Sequence, residues 1–232
     1  MLSRDAPIID LFLELVAVPS PSGRERALAE QIRDWLSHHG VAADFDRAGE
    51  VNGSDAGNLI ATIPGAPGAP TYLFVAHMDT VESGTSPVAP RLDRDGVIRS
   101  AGDTILGADN KAAVAAAMRV CAAGAALPQS SRPTIVAAFT CREESGRMGV
   151  ALIDRALLES VDVAFCVDGS RPIGTVIARA LGQTTFSFTI HGRAAHAAAN
   201  PEAGVSAIRV ASEIIAALPL GRRPGGGSAS VA

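Results

Sequence analysis

Hydrophobic residues follow two different spacings along most of the chain. Apolar positions three and four residues apart predict four helices, over residues 5–17, 24–40, 110–127 and 149–159. Short, nearly continuous apolar runs between them predict four strands, over residues 57–65, 71–77, 133–141 and 161–169. Strands that alternate with helices and are apolar on both faces indicate an α/β fold, with a mainly parallel sheet that is flanked by helices on both sides.

The pattern changes near residue 178. Residues 179–192 alternate apolar and polar side chains, as in a strand with one face in water, and a further helix is predicted over residues 202–218. We therefore expect two domains, a larger α/β domain over residues 1–178 and the first part of a smaller α+β domain over residues 179–232.

Composition narrows the class of protein. The 232 residues are 47% hydrophobic and include 20 basic and 24 acidic side chains, which gives a formal charge of −4. This balance supports a large core, and no basic patch indicates binding to nucleic acid. The N-terminal residues lack a signal-peptide pattern. No apolar run reaches the roughly 20 residues that a membrane-spanning helix needs. Three cysteines without a CxxC pair indicate reduced thiols, so we expect a soluble, cytoplasmic protein.

Polar residues close the predicted strands. His77 and Asp79 lie at the end of the second strand and, being two positions apart, point to the same side of the chain. In open α/β sheets, ligands bind at the carboxyl ends of the strands. A histidine held by a carboxylate is also the usual arrangement next to a zinc ion. For this pair alone, an ordinary solvated strand end is the simpler alternative.

Carboxylates occur at three more element boundaries. Asp109 precedes the alanine-rich helix, and Asp168 ends the fourth strand. Glu143 and Glu144 follow directly on the third strand. Taken singly, these residues have simpler roles as a helix cap, a turn residue and a solvated acidic end, and His196 in a later loop is by itself more often structural. Because the strands are predicted to end at one edge of one sheet, their side chains are predicted to converge, as a pair of divalent ions would require.

Five segments carry a family resemblance: "HMDTV", "LGADNKA", "EESGRMGV", "VDGS" and "GRAAHAAANPEAGVSAI". In order and spacing they resemble the peptidase T-like, tripeptide aminopeptidase-like branch of the di-zinc aminoacylase/carboxypeptidase metallopeptidases. The resemblance extends from near residue 8 to the last residue. It implies a catalytic domain of the zinc-exopeptidase type, followed by the first half of a ferredoxin-like lid or dimerisation domain. The implied reaction is hydrolysis that releases the N-terminal residue of a short peptide.

The resemblance also implies a metal site with two zinc ions per subunit, for which cobalt or manganese are alternatives. His77 and Asp168 would bind one ion, Asp109 would bridge the two ions, and Glu144 would bind the second. In relatives the bridging aspartate is followed by a cis peptide bond, which here would join Asp109 and Asn110.

Three residues receive other roles from the same resemblance. Glu143 would be the general base, and Asp79 would orient the histidine ligand. His196 would hold the substrate carbonyl or carboxylate, commonly in the active site of the partner subunit. A homodimer that forms through the smaller domain is therefore implied.

The end of the chain departs from the family pattern. Family members continue past residue 232 and supply a last histidine for the second zinc, which none of the five histidines here replaces. The second metal site is therefore expected to be incomplete in this chain. Two alternatives to a tripeptidase stay open: a related amidohydrolase or carboxypeptidase, and an inactive fragment that acts only as a binding or dimerising module. The expected partner is a short peptide, with no nucleic acid and no membrane.

Overall fold

The computed structural model describes residues 7–81, 88–169, 172–178, 182, 184–222 and 227–230. The chain divides into two compact units, Met1–Ser170 and Arg171–Ala232. This division lies a few residues before the change of pattern near residue 178. The boundary between the two expected domains itself stays a prediction.

Helices of the first unit form where apolar residues recur at helical spacing. They are α1 (Ile8–Val16), α2 (Arg26–His38), α3 (Ala48–Asn52), α4 (Ala108–Ala126) and α5 (Arg155–Glu159). Gly40 follows the end of α2 in a left-handed conformation, with φ +73°, and so stops the helix as its position in the sequence predicts. The single helix predicted over residues 149–159 is wrong, because Asp154 leaves the helical conformation and its carboxylate caps α5 by accepting a hydrogen bond from the N–H of Ala156 (2.9 Å).

The described residues of the first unit form seven strands. They are β1 (Ala43–Phe45), β2 (Leu59–Ile63), β3 (Thr71–His77), β4 (Pro90–Leu92), β5 (Ile98–Ser100), β6 (Thr134–Thr140) and β7 (Val163–Cys166). Strands β4 and β5 form a separate hairpin, and the other five form one sheet in the order β1-β2-β6-β3-β7. The pairs β6–β3 and β3–β7 are parallel, whereas β1–β2 and β2–β6 are antiparallel. The predicted α/β class is confirmed, with a mixed sheet whose parallel part is connected through α4 and α5.

Both faces of the sheet are covered, because successive side chains of a strand point to opposite faces. One face packs against α1, α2 and α4 through buried residues that include Leu15, Trp35, Ala61, Met118, Ala137 and Phe139. The other face packs against α5 and the segment before it through Leu73, Val136, Ala138, Ile153 and the half-buried Leu157. Burial on both faces explains why β3 and β6 read as continuous apolar runs.

The parallel ladders bring three strand ends to one edge of the sheet. His77 of β3 lies opposite Thr140, the last residue of β6. Val75 of β3 lies opposite Cys166, the last residue of β7. Residues that follow β3, β6 and β7 therefore leave the sheet side by side.

In the second unit, the described residues form one longer helix, α6 (Ala207–Ala217), and a short hairpin of β8 (Gly221–Arg222) and β9 (Ser228–Ala229). Helix α6 begins later than predicted because the hydroxyl of Ser206 caps it, accepting a hydrogen bond from the N–H of Arg209 (3.2 Å). Short 3₁₀ turns occur in both units, at Gln129–Ser131, Val150–Leu152 and Pro201–Ala203. No helix in the described parts of the chain is long and apolar enough to cross a membrane.

The strand predicted over residues 179–192 is not found among its described members, residues 182 and 184–192. Alternating side chains define two faces, but a strand also needs a neighbour for its backbone N–H and C=O groups. Phe186 and Phe188 of this segment stack on each other and remain largely exposed. The alternation therefore predicted a strand, but the described residues of this unit offer it no partner strand.

Candidate metal centre

His77 lies at the centre of the candidate site and is almost completely buried, with 3% of its surface exposed. Its Nδ1 atom is 2.8 Å from the main-chain oxygen of Asp79. Because a carbonyl oxygen only accepts hydrogen bonds, Nδ1 carries a proton and donates it. Nε2 points the other way and lies 3.1 Å from Oδ1 of Asp109 and 3.9 Å from Oδ2 of Asp168. In the neutral ring, Nε2 thus offers its lone pair to a cation between these carboxylates.

Two groups of potential metal ligands meet at this histidine. One ligand atom each of His77, Asp109 and Asp168 lie within 4.8 Å of one another, and the same holds for His77, Glu143 and Glu144. The structure therefore brings together all the ligand residues that the sequence singled out. The resemblance implied that Glu144 would share its ion with Asp109, whereas the second group here contains His77 and Glu143. Which residue binds which ion stays a prediction.

Asp109 reaches the site because the first turn of α4 is irregular. Gly107 precedes the helix in a left-handed conformation, with φ +73°. Asp109 and Asn110 have non-helical backbone angles, and the peptide bond between them is cis, as the resemblance implied. The Asp109 side chain is 70% exposed and points to His77 at the sheet edge. It therefore does not act as an ordinary helix cap.

Glu143 and Glu144 both reach the site although neighbouring side chains after a strand normally diverge. Arg142 has φ +51°, a left-handed conformation that is uncommon for a residue with a Cβ atom. The main chain then turns back on itself. The N–H of Arg147 donates to the oxygen of Glu143 (2.6 Å), and the N–H of Met148 donates to the oxygen of Arg142 (3.0 Å). This tight turn replaces the alternation of a strand.

Asp79 is fully buried and supports the same turn. Its Oδ1 accepts a hydrogen bond from the N–H of Glu143 (2.8 Å), and its Oδ2 accepts from the N–H of Glu144 (3.0 Å). Oδ2 also accepts from the hydroxyl of Ser22 (2.5 Å). Its Oδ1 lies 3.5 Å from Nδ1 of His77, farther than its own main-chain oxygen. Asp79 therefore contacts His77 mainly through its main chain, while its carboxylate holds the two glutamates.

Comparison with known proteins identifies the family. Residues 73–231 match the family described as peptidase family M20/M25/M40. The chain belongs to peptidase family M20/M25/M40. The resemblance seen in the five sequence segments is thus confirmed.

Three proteins illustrate what this M20/M25/M40 chain is similar to. It is 35% identical over 217 residues to the uncharacterized protein YqjE of Bacillus subtilis, covering 93% of this chain and 57% of YqjE. It matches the crystal structure of a tripeptidase from Staphylococcus aureus with a TM-score of 0.74 and 30% identity, over 95% of this chain and 58% of the other. It matches the aminopeptidase PepT of Bacillus cereus with a TM-score of 0.69 and 32% identity, over the same shares. The chain thus spans little more than half the length of these relatives.

The charges of the M20/M25/M40 site favour a cation next to His77. Burial would lower the pKa of His77, but the hydrogen bonds and charge of Asp79, with the charge of Glu143, raise it to about 9. Burial would raise the pKa of Asp79, but its hydrogen bonds lower it, so this carboxylate stays ionised. Burial raises the pKa of Glu143 and of Glu144 against the opposing charge of His77. Five carboxylates lie around this ring, those of Asp79, Asp109, Glu143, Glu144 and Asp168, and a proton or a metal ion there stabilises them.

The chemistry of these side chains fits a divalent metal ion. One imidazole nitrogen and several carboxylate oxygens suit zinc, cobalt or manganese. Neither ligand group contains a cysteine, so the site lacks the thiolates that softer metal ions prefer. The hydrogen bond from Nδ1 of His77 to a main-chain oxygen holds the ring as in many zinc sites.

His196 belongs to the second unit and is exposed. Its Nδ1 accepts hydrogen bonds from the N–H groups of Ala198 (3.2 Å) and Ala199 (3.1 Å). Its own N–H donates to the side-chain oxygen of Asn200 (3.2 Å). These contacts shape the loop, and the role of His196 towards a substrate stays a prediction.

Sequence reasoning missed the residues that surround the site from the N-terminal side. The patterns in the sequence predicted no role at the site for residues 19–23, "PSPSG", which lie between the first two predicted helices. In the structure, the hydroxyl of Ser20 donates to the oxygen of Met78 (2.7 Å), directly after β3. The ammonium group of the buried Lys111 donates to the oxygen of Val18 (2.6 Å). The two serines in a Pro-Gly segment were the available signal, since short hydroxyl side chains commonly satisfy nearby main-chain groups.

Proposed function

We propose that this chain is the metal-binding part of a metallopeptidase that removes the N-terminal residue from short peptides, with tripeptides as substrates. The observation that carries the proposal is the clustering of one buried imidazole and four carboxylates at one edge of the sheet. Membership of peptidase family M20/M25/M40 and similarity to a tripeptidase and an aminopeptidase support the reaction class.

The proposed metal site holds two zinc ions, and cobalt or manganese would suit the same ligands. His77 and Asp168 would bind the first ion, Asp109 would bridge, and Glu144 would bind the second ion. A divalent ion there would lower the pKa of a coordinated water to near 7 and polarise the scissile carbonyl. Of the residues that the structure describes, two are proposed to bind the second ion and three the first, so the affinity for the second ion is expected to be lower.

Glu143 is proposed as the general base that takes a proton from the attacking water and passes it to the leaving amine. Its N–H group is fixed by Asp79, and burial raises the pKa of its carboxyl. A raised pKa brings a carboxyl closer to the pH at which it can both accept and release a proton. General-base catalysis typically contributes on the order of 10²–10⁴ in rate.

The second unit is proposed to contribute substrate binding and assembly. His196 would donate a hydrogen bond to the substrate carbonyl or carboxylate. A homodimer formed through this unit would bring His196 to the partner's site. We propose a cytoplasmic location for the enzyme.

The test combines metal content with peptide hydrolysis, on the 232-residue chain and on any longer product of the same reading frame. Protein stripped by a chelator is reloaded with Zn²⁺ and given a tripeptide with a free amino group or its N-acetylated form. We expect release of the N-terminal residue from the free peptide only. Glu143→Gln should lower turnover by about 10²–10⁴ and leave zinc content unchanged, whereas Glu144→Gln should lower zinc content.

A matched control is Glu50→Gln, because Glu50 lies on the exposed surface of α3 and pairs with Arg47 (2.8 Å). This variant should keep both zinc and turnover. Wild-type activity in Glu143→Gln would remove the assigned base. Cleavage of the acetylated peptide would favour a related amidohydrolase or carboxypeptidase. Zinc binding without turnover in every form would favour the binding-module alternative.

A further inference from the structure

Glu25 is a second buried carboxylate close to the glutamate turn. It is 0% exposed and lies immediately before α2. Its Oε1 accepts hydrogen bonds from the N–H groups of Gly23 (2.8 Å) and Arg142 (3.0 Å). Its Oε2 accepts from the hydroxyl of Ser54 (2.5 Å). Among the described residues, no lysine or arginine side chain forms an ion pair with it.

The bond to Arg142 completes a continuous support of the turn. Glu25 accepts the N–H of Arg142, and Asp79 accepts the N–H groups of Glu143 and Glu144. Two buried carboxylates thus bind three consecutive main-chain N–H groups. Because each of these N–H groups has its own carboxylate oxygen as acceptor, the path of the main chain through residues 142–144 is defined.

The backbone of Arg142 needs such support. Its left-handed conformation is disfavoured for a residue with a Cβ atom and persists only where surrounding contacts hold it. The Arg142 side chain donates to the oxygens of Asn52 and Ser145. Together with Glu25, these contacts hold Arg142 in the conformation that sets the direction of the two following glutamates.

We propose that Glu25 is a positioning residue, which fixes the main chain at Arg142 so that Glu143 and Glu144 point to the metal site. The inference rests on the proposed function, because that function is what gives the turn its role in metal binding. It depends on the reach of Oε1, not on the charge of the carboxylate. A carboxylate buried without a cationic partner is costly unless its oxygens are hydrogen-bonded, and here each oxygen has a donor.

Two substitutions separate reach from charge. Glu25→Gln keeps the length and Oε1, and its amide nitrogen can donate to the hydroxyl oxygen of Ser54. Glu25→Asp keeps the carboxylate but is one methylene shorter, so it withdraws from the N–H of Arg142. Because both changes are small, both variants are expected to fold.

Hydrogen exchange of the metal-free protein is the first readout. We expect Glu25→Asp to speed exchange of the amides of residues 142–144 at least tenfold, with amides of β2 and β3 unchanged. Glu25→Gln should stay within threefold of wild type. The second readout is titration with Co²⁺, in which Glu25→Asp should bind at least tenfold more weakly and Glu25→Gln within threefold of wild type.

The outcomes are distinct. Wild-type exchange and Co²⁺ affinity in Glu25→Asp would overturn the inference. Equal losses in both variants would also overturn it, because reach alone would then not explain the effect. A loss in Glu25→Gln alone would assign the effect to charge and overturn it as well. If wild-type protein bound no Co²⁺, the proposed function would fail for this chain, while the exchange of residues 142–144 would still decide whether Glu25 holds the turn.

Discussion

Lys111 shows how strongly one buried side chain depends on its surroundings. It is the single lysine among the 20 basic residues of the chain. Its side chain is buried two positions after Asp109, with its ammonium group on the oxygen of Val18. Arginine retains its charge when buried, whereas lysine can lose its proton. Burial lowers the pKa of Lys111 to about 8.

The shift predicts a rise in stability with pH. Below about pH 8 Lys111 is charged in both states, and the full cost of burying the charge opposes folding. Between about 8 and 10.5 the unfolded chain binds more protons than the folded chain, so the free energy of unfolding increases as the pH rises. Relative to Lys111→Met, metal-free wild type should gain up to ~3 kcal/mol across this window in urea unfolding.

Direct titration provides the control for this prediction. Selective labelling with ¹³C-lysine yields one side-chain NMR signal, because the chain has no second lysine. The signal should titrate near pH 8 in the folded protein and near 10.5 after unfolding. An ordinary value in the folded protein, or parallel stability curves for wild type and Lys111→Met, would contradict the prediction.

At the scale of elements, the segment after β6 depends on one close approach. A Cβ atom on Gly149 would lie 2.1 Å from the oxygen of Cys141 and 2.6 Å from Oδ1 of Asn58. Asn58 accepts the N–H of Cys141 (3.1 Å) and donates to the oxygen of Gly149 (2.9 Å). One asparagine thus closes the base of the loop that contains both glutamates.

Gly149→Ala is therefore expected to destabilise the protein by about 1–3 kcal/mol, as overpacking usually does. Gly102→Ala is the matched control, because a Cβ atom there meets nothing within 4 Å and its φ is not left-handed. It should change the free energy of unfolding by no more than about 0.5 kcal/mol. Urea unfolding of both variants is the measurement. Equal free energies of unfolding for Gly149→Ala and Gly102→Ala would show that the segment around residue 149 can accommodate the added methyl group.

The elements also show where periodicity is a weak guide. The pattern over residues 149–159 is helical, yet Asp154 interrupts it because its carboxylate binds a main-chain N–H group more effectively outside a helix. The alternation over residues 179–192 is that of a strand, yet pairing requires a neighbour that the pattern does not specify. Patterns predicted α2, β3, α4 and β6 well, because the helices bury one apolar face and the two strands bury both of theirs.

At the scale of the whole molecule, β7 is an exposed edge of the sheet that the described residues form. It is last in the strand order, and its apolar residues remain accessible, with Val163 and Phe165 each 44% exposed. Unpaired apolar edges promote association between chains. We expect the 232-residue chain to self-associate as its concentration rises.

Val163→Lys should reduce this association, because a charge at a sheet edge opposes pairing with another edge. Val51→Lys is the control, since Val51 is 70% exposed on α3, outside the sheet. Sedimentation velocity over a range of concentrations is the measurement. A wild-type chain that stays monomeric, or an equal effect of both substitutions, would show that β7 does not drive association.

The sequence by itself determined the class of fold, the central strands and the set of residues that close them. It could do so because burial on two faces and the placement of polar residues at strand ends are local patterns. Only the tertiary structure decided that β6 lies between β2 and β3, and that Glu25 and Asp79 bind the turn from 117 and 64 positions away. Such contacts depend on which segments meet in space, and no spacing along the chain encodes that meeting directly.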